Sequence, residues 1–264
     1  MKEITTERFE EVYQYPEGSG LFNNKNFKLF VTSEGRTFWY PSHDSHFEDQ
    51  LETKSKIDAD LETIQLYKPN IRRSIDVGAS IGKSTIQLGT ISDVVESFEL
   101  CPYQHQCLQA NVENAVQQKF ENLDFYKDTK STKARFNHYH IAITNSNEYQ
   151  IETVSFFKEH YNSRIKLPND DDWITDYVEY TLVKQQKLDY YAFDNVDFIK
   201  YNLNGYEFKA LSGSLQTISN NTPLIWIEKN NDLLSKFGDN ATMIDNFLDN
   251  LGYKKITENL FSIR

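Results

Sequence analysis

An acid and two glycines, in Asp76-Val77-Gly78-Ala79-Ser80-Ile81-Gly82, stand where Arg73-Ser74-Ile75-Asp76-Val77-Gly78, which reads as a short buried strand running into a turn, gives way to helix-forming residues. Glycine at such a turn admits φ > 0 and the close approach of a ligand that a Cβ would block. A helix beginning at Gly82 or Lys83 turns its free N–H groups toward whatever the loop holds. Val94-Val95-Glu96-Ser97-Phe98-Glu99 reads as the next strand. It ends in an acid roughly 20 residues after Asp76, the spacing at which a carboxylate accepts hydrogen bonds from ribose hydroxyls. The chemistry indicated is the binding of a nucleoside cofactor. Gly82-Lys83-Ser84 suggests a phosphate loop, but that motif needs a glycine where Val77 stands. A dinucleotide fingerprint needs Gly-x-Gly-x-x-Gly, but Gly78 is followed by Ala79, Ser80, Ile81 and then Gly82, so the three-glycine pattern is absent. A tight turn that binds nothing is the remaining alternative.

The second stretch with chemical content is Asp197-Phe198-Ile199-Lys200-Tyr201-Asn202-Leu203-Asn204-Gly205-Tyr206-Glu207. Strand alternation puts Lys200 and Asn202 on one face of a strand expected to be buried on both sides. A lysine there needs a reason: an ion pair with Glu207 or Glu228 is one, and a desolvated amine that acts as a base or orients an acceptor is the other. Glu228, closing the run Pro223-Leu224-Ile225-Trp226-Ile227-Glu228, is the alternative base, with His138 and His140 behind it as strand residues. Open α/β sheets bind ligands beyond the carboxyl ends of their strands, so Asn202, Gly205 and Glu228 should converge there with Gly78 and Glu99.

These residues require a frame. Phe27-Lys28-Leu29-Phe30-Val31-Thr32 and Arg36-Thr37-Phe38-Trp39-Tyr40 flank Ser33-Glu34-Gly35 and predict a β-hairpin. Its aromatic residues Phe27, Phe30, Phe38, Trp39 and Tyr40 are expected to pack as its core. Polar, helix-prone residues follow from about Phe47 to Leu66. From Ile71 the pattern alternates: strand, helix to Ile91, strand to Glu99, then a helix from Tyr103 to about Val116 with Pro102 in its first turn. This is the βαβ rhythm of a parallel sheet. Residues 138–144 and 149–156 predict two strands joined by the turn Asn145-Ser146-Asn147-Glu148. Asn169-Asp170-Asp171-Asp172 marks a solvated loop without the spacing of a calcium-binding loop. The last third predicts a strand at residues 195–201, a helix from Gly205 to about Ile218, a strand at 223–228, a helix near Met243 to Leu251, and a closing hairpin around Glu258-Asn259.

The 264 residues, 39% hydrophobic and 14% aromatic, suffice for one sizeable core. A net charge of −11 argues against duplex DNA or long RNA as the main partner. The basic stretch Lys127, Lys130, Lys133 and Arg135 reads as a solvated loop. No apolar run approaches the roughly 20 residues that cross a bilayer. The start, Met1-Lys2-Glu3-Ile4-Thr5-Thr6-Glu7, lacks the apolar core of a secretion signal, so a cytoplasmic location is expected. Cys101 and Cys107 suggest neither a disulfide nor a zinc site, and the oligomeric state is open.

In combination these motifs resemble the FkbM family of S-adenosylmethionine-dependent methyltransferases, over about residues 70–264. The family shows Asp-Val-Gly-Ala-Asn-Ile-Gly, then Phe-Glu-Pro, then Asp-Phe-Ile-Lys-x-Asp-x-Glu-Gly-x-Glu. This chain has Asp76 to Gly82, Phe98-Glu99-Leu100 and Asp197 to Glu207 in the same order, with Lys187-Leu188-Asp189, Leu211-Ser212-Gly213-Ser214 and Ile227-Glu228 as framing elements. A sulfonium cofactor has no pyrophosphate, which suits the looser glycine loop. The resemblance implies a Rossmann-like class I methyltransferase fold, a seven-stranded, mostly parallel sheet with helices on both faces and an antiparallel last strand. It divides the chain into an N-terminal hairpin and helical extension, residues 1–69, and a methyltransferase domain, residues 70–264. It implies S-adenosylmethionine as cofactor, contacted by Asp76, Gly78, Ala79, Ser80, Gly82, Glu99, Leu100, Ala142 and Asn202. Catalysis falls to Lys200, Asn202 and Glu228, without a metal, in O-methylation of a hydroxyl on a small molecule or glycan. Ser80, Leu100, Asn202 and Asn204 depart from the family pattern. An amide at position 202 can neither carry charge nor take a proton, which opens the alternative of an altered protein that binds cofactor or a partner without methyl transfer.

Overall fold

The computed structural model describes residues 27–33, 35–42, 46–53, 56–121, 134–148, 150–156, 164–165 and 178–263. The expected hairpin is present as β1 (Phe27–Val31) and β2 (Thr37–Pro41), paired antiparallel. Helices α1 (His46–Glu52) and α2 (Lys56–Tyr67) follow. Then come β3 (Ile71–Val77), α3 (Lys83–Leu88), β4 (Ser92–Glu99), α4 (Pro102–Glu121) and β5 (Arg135–His140). After β6 (Ala142–Ile143), β7 (Gln150–Phe156), β8 (Arg164–Ile165) and β9 (Val178–Gln186), the alternation resumes with β10 (Val196–Tyr201). It closes with α5 (Glu207–Ser212), α6 (Leu215–Asn221), β11 (Leu224–Ile227), α7 (Asn231–Ser235), α8 (Ala241–Asn250), β12 (Tyr253–Lys255) and β13 (Leu260–Ile263).

The main sheet has seven strands in the order β12-β13-β11-β10-β3-β4-β5. From β11 to β5 every pairing is parallel, whereas β13 runs antiparallel to both of its neighbours. Helices cover both faces, as the near-continuous apolar strands demand. On one face Ile75, Ile199, Tyr201 and Ile225 pack with Leu211, Ile218 and Ile244 of α5, α6 and α8. On the other, Phe198, Trp226 and Val95 pack with Ile57 and Ile64 of α2 and Leu88 of α3. All of β10 is buried. The hairpin buries Phe27, Phe38, Trp39 and Tyr40 against Phe47 and Tyr103. Asn111 of α4 ties it down by accepting from Trp39 N at 2.6 Å and donating to Trp39 O and Ile81 O.

Three local expectations are corrected. The helix expected to reach Ile91 stops at Leu88: Gly89, packed against the ring of Phe136, donates to Thr85 O, and then Thr90 N and Ile91 N turn back three residues to Gln87 O and Leu88 O. The helix expected from Gly205 to Ile218 is two helices broken at Gly213-Ser214, where Gly213 packs on the carbonyl of Thr144. The strands at 138–144 and 149–156 do not form a hairpin. The first splits between β5 of the main sheet and β6, and β9 inserts between β6 and β7 in a second sheet ordered β6-β9-β7-β8. Asn169 to Asp172 and Lys127, Lys130 and Lys133 lie outside the described residues. Among the described residues no helix is long and apolar enough to cross a membrane.

Candidate functional site

A cavity of about 530 Å³ opens at the carboxyl ends of β3, β4, β10 and β11. Of the residues singled out from sequence, Gly78, Ala79, Ser80, Glu99, Leu100, Ala142, Lys200, Asn202 and Glu228 line it together. Asp76 and Gly82 stand behind its wall, and neither His138 nor His140 reaches it.

Asp76 is fully buried and saturated with donors. Its Oδ2 accepts from Ser84 Oγ at 2.8 Å and Thr85 Oγ1 at 2.7 Å, and its Oδ1 accepts from Lys200 Nζ at 2.7 Å. The acid thus ties the end of β3 to the first turn of α3 and to β10. The ammonium of Lys200 also donates to Gly78 O at 3.1 Å. The ion pair expected for Lys200 with Glu207 or Glu228 is therefore made with Asp76 instead. The parallel register sets Lys200 directly beside Asp76, closer than either glutamate.

The loop after β3 is held open by left-handed backbone. Gly78 has φ +84°, and a Cβ there would lie 1.9 Å from Asn202 O. The missing side chain thus lets two strand ends meet, and Gly78 lines the cavity at that point. Gly82, at φ +93°, packs on Leu108 of α4. Ser80 takes φ 53°, a conformation asparagine adopts more readily than serine. Its N–H donates to Glu99 Oε2 at 2.7 Å, and Cys101 N donates to Glu99 Oε1 at 2.8 Å. Burial raises the Glu99 carboxyl to about 7, against the pull of those two N–H groups.

On the other side of the cavity, Asn204 adopts φ 54°, again the left-handed region that asparagine tolerates. Glu207 accepts from Leu203 N at 2.7 Å and Gly205 N at 3.0 Å and so closes the turn into α5. Burial pushes its carboxyl up. Glu228 is more open and pairs with Lys56 Nζ at 2.6 Å. His140 Nε2 lies 2.9 Å from Leu100 O, behind the wall. Sequence reasoning missed the contribution of α1 and α2, which bring Phe47, Gln50, Leu51, Lys56 and Ile57 to the cavity. Their segment carries no motif; only its polar, helix-prone character was visible. Among the described residues no group of three or more His, Cys, Asp or Glu is arranged to hold a metal ion.

No curated protein matches the chain. Among solved structures it is similar to methyltransferase FkbM from Methylobacillus flagellatus KT, with 19% identity and a TM-score of 0.42 over 72% of this chain and 43% of that one. It thus spans less than half the length of that protein. It is also similar to TYW2 of M. jannaschii in complex with AdoMet, with 10% identity and a TM-score of 0.38 over 91% and 84% of the two chains. A third likeness is to a SAM-dependent methyltransferase from Thiobacillus denitrificans in complex with S-adenosyl-L-homocysteine, with 11% identity and a TM-score of 0.34 over 75% and 65%. The model of the methyltransferase FkbM domain matches residues 76–255, from the acid behind the loop to the end of β12. With that match over most of its length, the chain belongs to the FkbM methyltransferase domain family.

Proposed function

We propose that this protein is an O-methyltransferase that uses S-adenosylmethionine, the donor its family implies, and methylates a hydroxyl of a small molecule or glycan. The observation that carries the reading is the meeting of Gly78, Ser80, Glu99, Asn202 and Glu228 on one cavity at the carboxyl edge of the sheet. The cavity fits the donor in two respects. Its volume lies in the range of cofactor sites, and the Glu99 carboxylate spends one backbone N–H contact per oxygen, which leaves lone pairs for ribose hydroxyls. On this reading residues 70–264 are the methyltransferase domain and residues 1–69 its extension.

The donor supplies a methyl group on a positively charged sulfur, reactive enough that positioning and exclusion of water carry much of the acceleration. Glu99, Leu100 and the Gly78–Ser80 loop hold the nucleoside end, with Ala142 beside them. Asn202 offers an amide to the amino-acid end. Lys200 is a positioning residue, since its ammonium is committed to Asp76 and Gly78 O. Glu228 is the base: Glu99 and Glu207 are tied to backbone N–H groups, while the Glu228 carboxylate faces the cavity and pairs with the Lys56 side chain. It takes the proton that the acceptor hydroxyl loses.

Calorimetric titration with S-adenosylmethionine and S-adenosylhomocysteine tests the reading, with Glu99→Ala as control. Binding by the wild type that the control loses is the expected outcome; a folded protein that binds neither overturns it. One observation favours a second reading, a protein that binds the cofactor without transferring methyl: Asn202 and Asn204 line the cavity where the family pattern has acids. Turnover gained by Asn202→Asp with Asn204→Glu, at unchanged cofactor affinity, would favour that reading.

A further inference from the structure

Lys83 breaks a local rule. It is the first residue of α3, where the helix dipole disfavours a cation, and no acidic residue accompanies it in the first turn. Its ammonium is used elsewhere: it donates to Gln50 O at 2.8 Å and Thr53 O at 2.5 Å. Those carbonyls belong to the last turn of α1 and the residue after it, and α1 has no basic residue of its own in that turn. The last carbonyls of a helix lack intrahelical partners and favour a cation. Lys83 therefore caps α1 from a distance, and it does so from the helix that the cofactor loop runs into.

The capped corner is a wall of the site. Phe47 and Leu51 of α1 and Lys56 and Ile57 of α2 line the same cavity as Gly78, Ser80 and Glu99, and so does Lys83. This wall lies before residues 76–255, outside the stretch that the family model matches. Further fastenings run to the sheet and to α3: Asp60 accepts from Trp226 Nε1 at 2.8 Å, Lys56 reaches Glu228, and Gln87 Nε2 of α3 donates to Asp58 of α2. Lys83 ties α1, and Gln87 ties α2, to the helix that follows the loop.

We propose that Lys83 is a positioning residue that couples occupancy of the donor loop to the α1–α2 wall, so that donor binding tightens this wall of the cavity. The inference rests on the cavity being the donor site.

The test uses S-adenosylhomocysteine as probe, on wild type, Lys83→Met and Lys83→Arg. Calorimetry reads affinity, hydrogen exchange reads the backbone of residues 46–53, and melting temperature reports the fold of each sample. The wild type should gain protection at 46–53 on binding. Lys83→Met should bind about tenfold more weakly, the loss expected for two charge-assisted hydrogen bonds only partly recovered by water, and should lose that protection. Lys83→Arg should restore both, because a guanidinium can reach the same carbonyls. A merely structural lysine would lower the melting temperature and leave the ligand-induced protection intact. Wild-type binding without protection at 46–53, or Lys83→Met binding as tightly as wild type, overturns the coupling. Failure of the wild type to bind overturns the donor-site reading itself, and the coupling with it.

Discussion

Lys200 Nζ lies 2.7 Å from Asp76 Oδ1, and both side chains are buried between β10 and β3. The loop acid and the strand lysine of this chain are thus one ion pair, with Asp76 behind the cavity wall and Lys200 in its lining. Removing either partner leaves an uncompensated charge in the interior, which costs about 3–5 kcal/mol. Asp76→Asn and Lys200→Met should each lower denaturant stability by that order. The double variant should lose less than the sum of the two, and a double-mutant cycle checks it.

Gly78→Ala should be among the most damaging small substitutions in the chain. The new Cβ would meet Asn202 O at 1.9 Å in a backbone with φ +84°. The strained dihedral alone is worth about 1–3 kcal/mol, and the collision forces the loop away from the end of β10. Loss of S-adenosylhomocysteine binding together with a lower unfolding midpoint is the expected result.

Glu99 should make donor binding depend on pH. Burial raises its carboxyl to about 7, so with Glu99 in the proposed role ribose hydroxyls would meet a full carboxylate only above that value. Affinity should fall as pH drops through about 7, and Glu99→Gln should bind weakly with a flat profile. The stability contribution has the opposite sense: with the folded value raised from 4.5, it is fully present below about 4.5 and lost as pH rises through about 7.

Two histidines work the other way. Burial lowers His105 to about 3 and His138 to about 4, from an ordinary 6.5. Their contribution is present above about 6.5 and lost as pH falls through those lowered values. His105→Gln with His138→Phe should flatten the acid limb of melting temperature against pH, and an unchanged limb would refute the assignment.

Asn204→Glu, the change toward the family pattern, should cost stability. Position 204 holds φ 54°, which suits asparagine, and a longer acid there costs about 1 kcal/mol or more. Asn204→Gly should be nearly neutral. Thermal unfolding of both variants compares them directly.

Much of the fold was legible in the chain because it is written in local order. Alternating apolar strands and helices, the hairpin around Ser33-Glu34-Gly35, and the closing pair β12 and β13 all follow from periodicity and turn chemistry. The cavity-facing loop residues Gly78 to Ser80 and the acid Glu99 were visible for the same reason, since the motif and its spacing lie within one βαβ unit.

Relations between distant segments were not legible. Sequence reasoning offered Lys200 a pair with Glu207 or Glu228, and only the register between β10 and β3, which sets it opposite Asp76, decided the partner. The hairpin expected from residues 138–156 gave way because β9, distant in sequence, offered β6 and β7 better pairing. The α1–α2 wall and its clamp by Lys83 carry no motif at all. By itself the sequence determined most strands and helices of the main sheet, the glycine turn with its acid one strand later, and which residue types are available. The tertiary structure alone decided which of them meet, because sheet register and helix packing join residues whose separation along the chain says nothing about their distance in space.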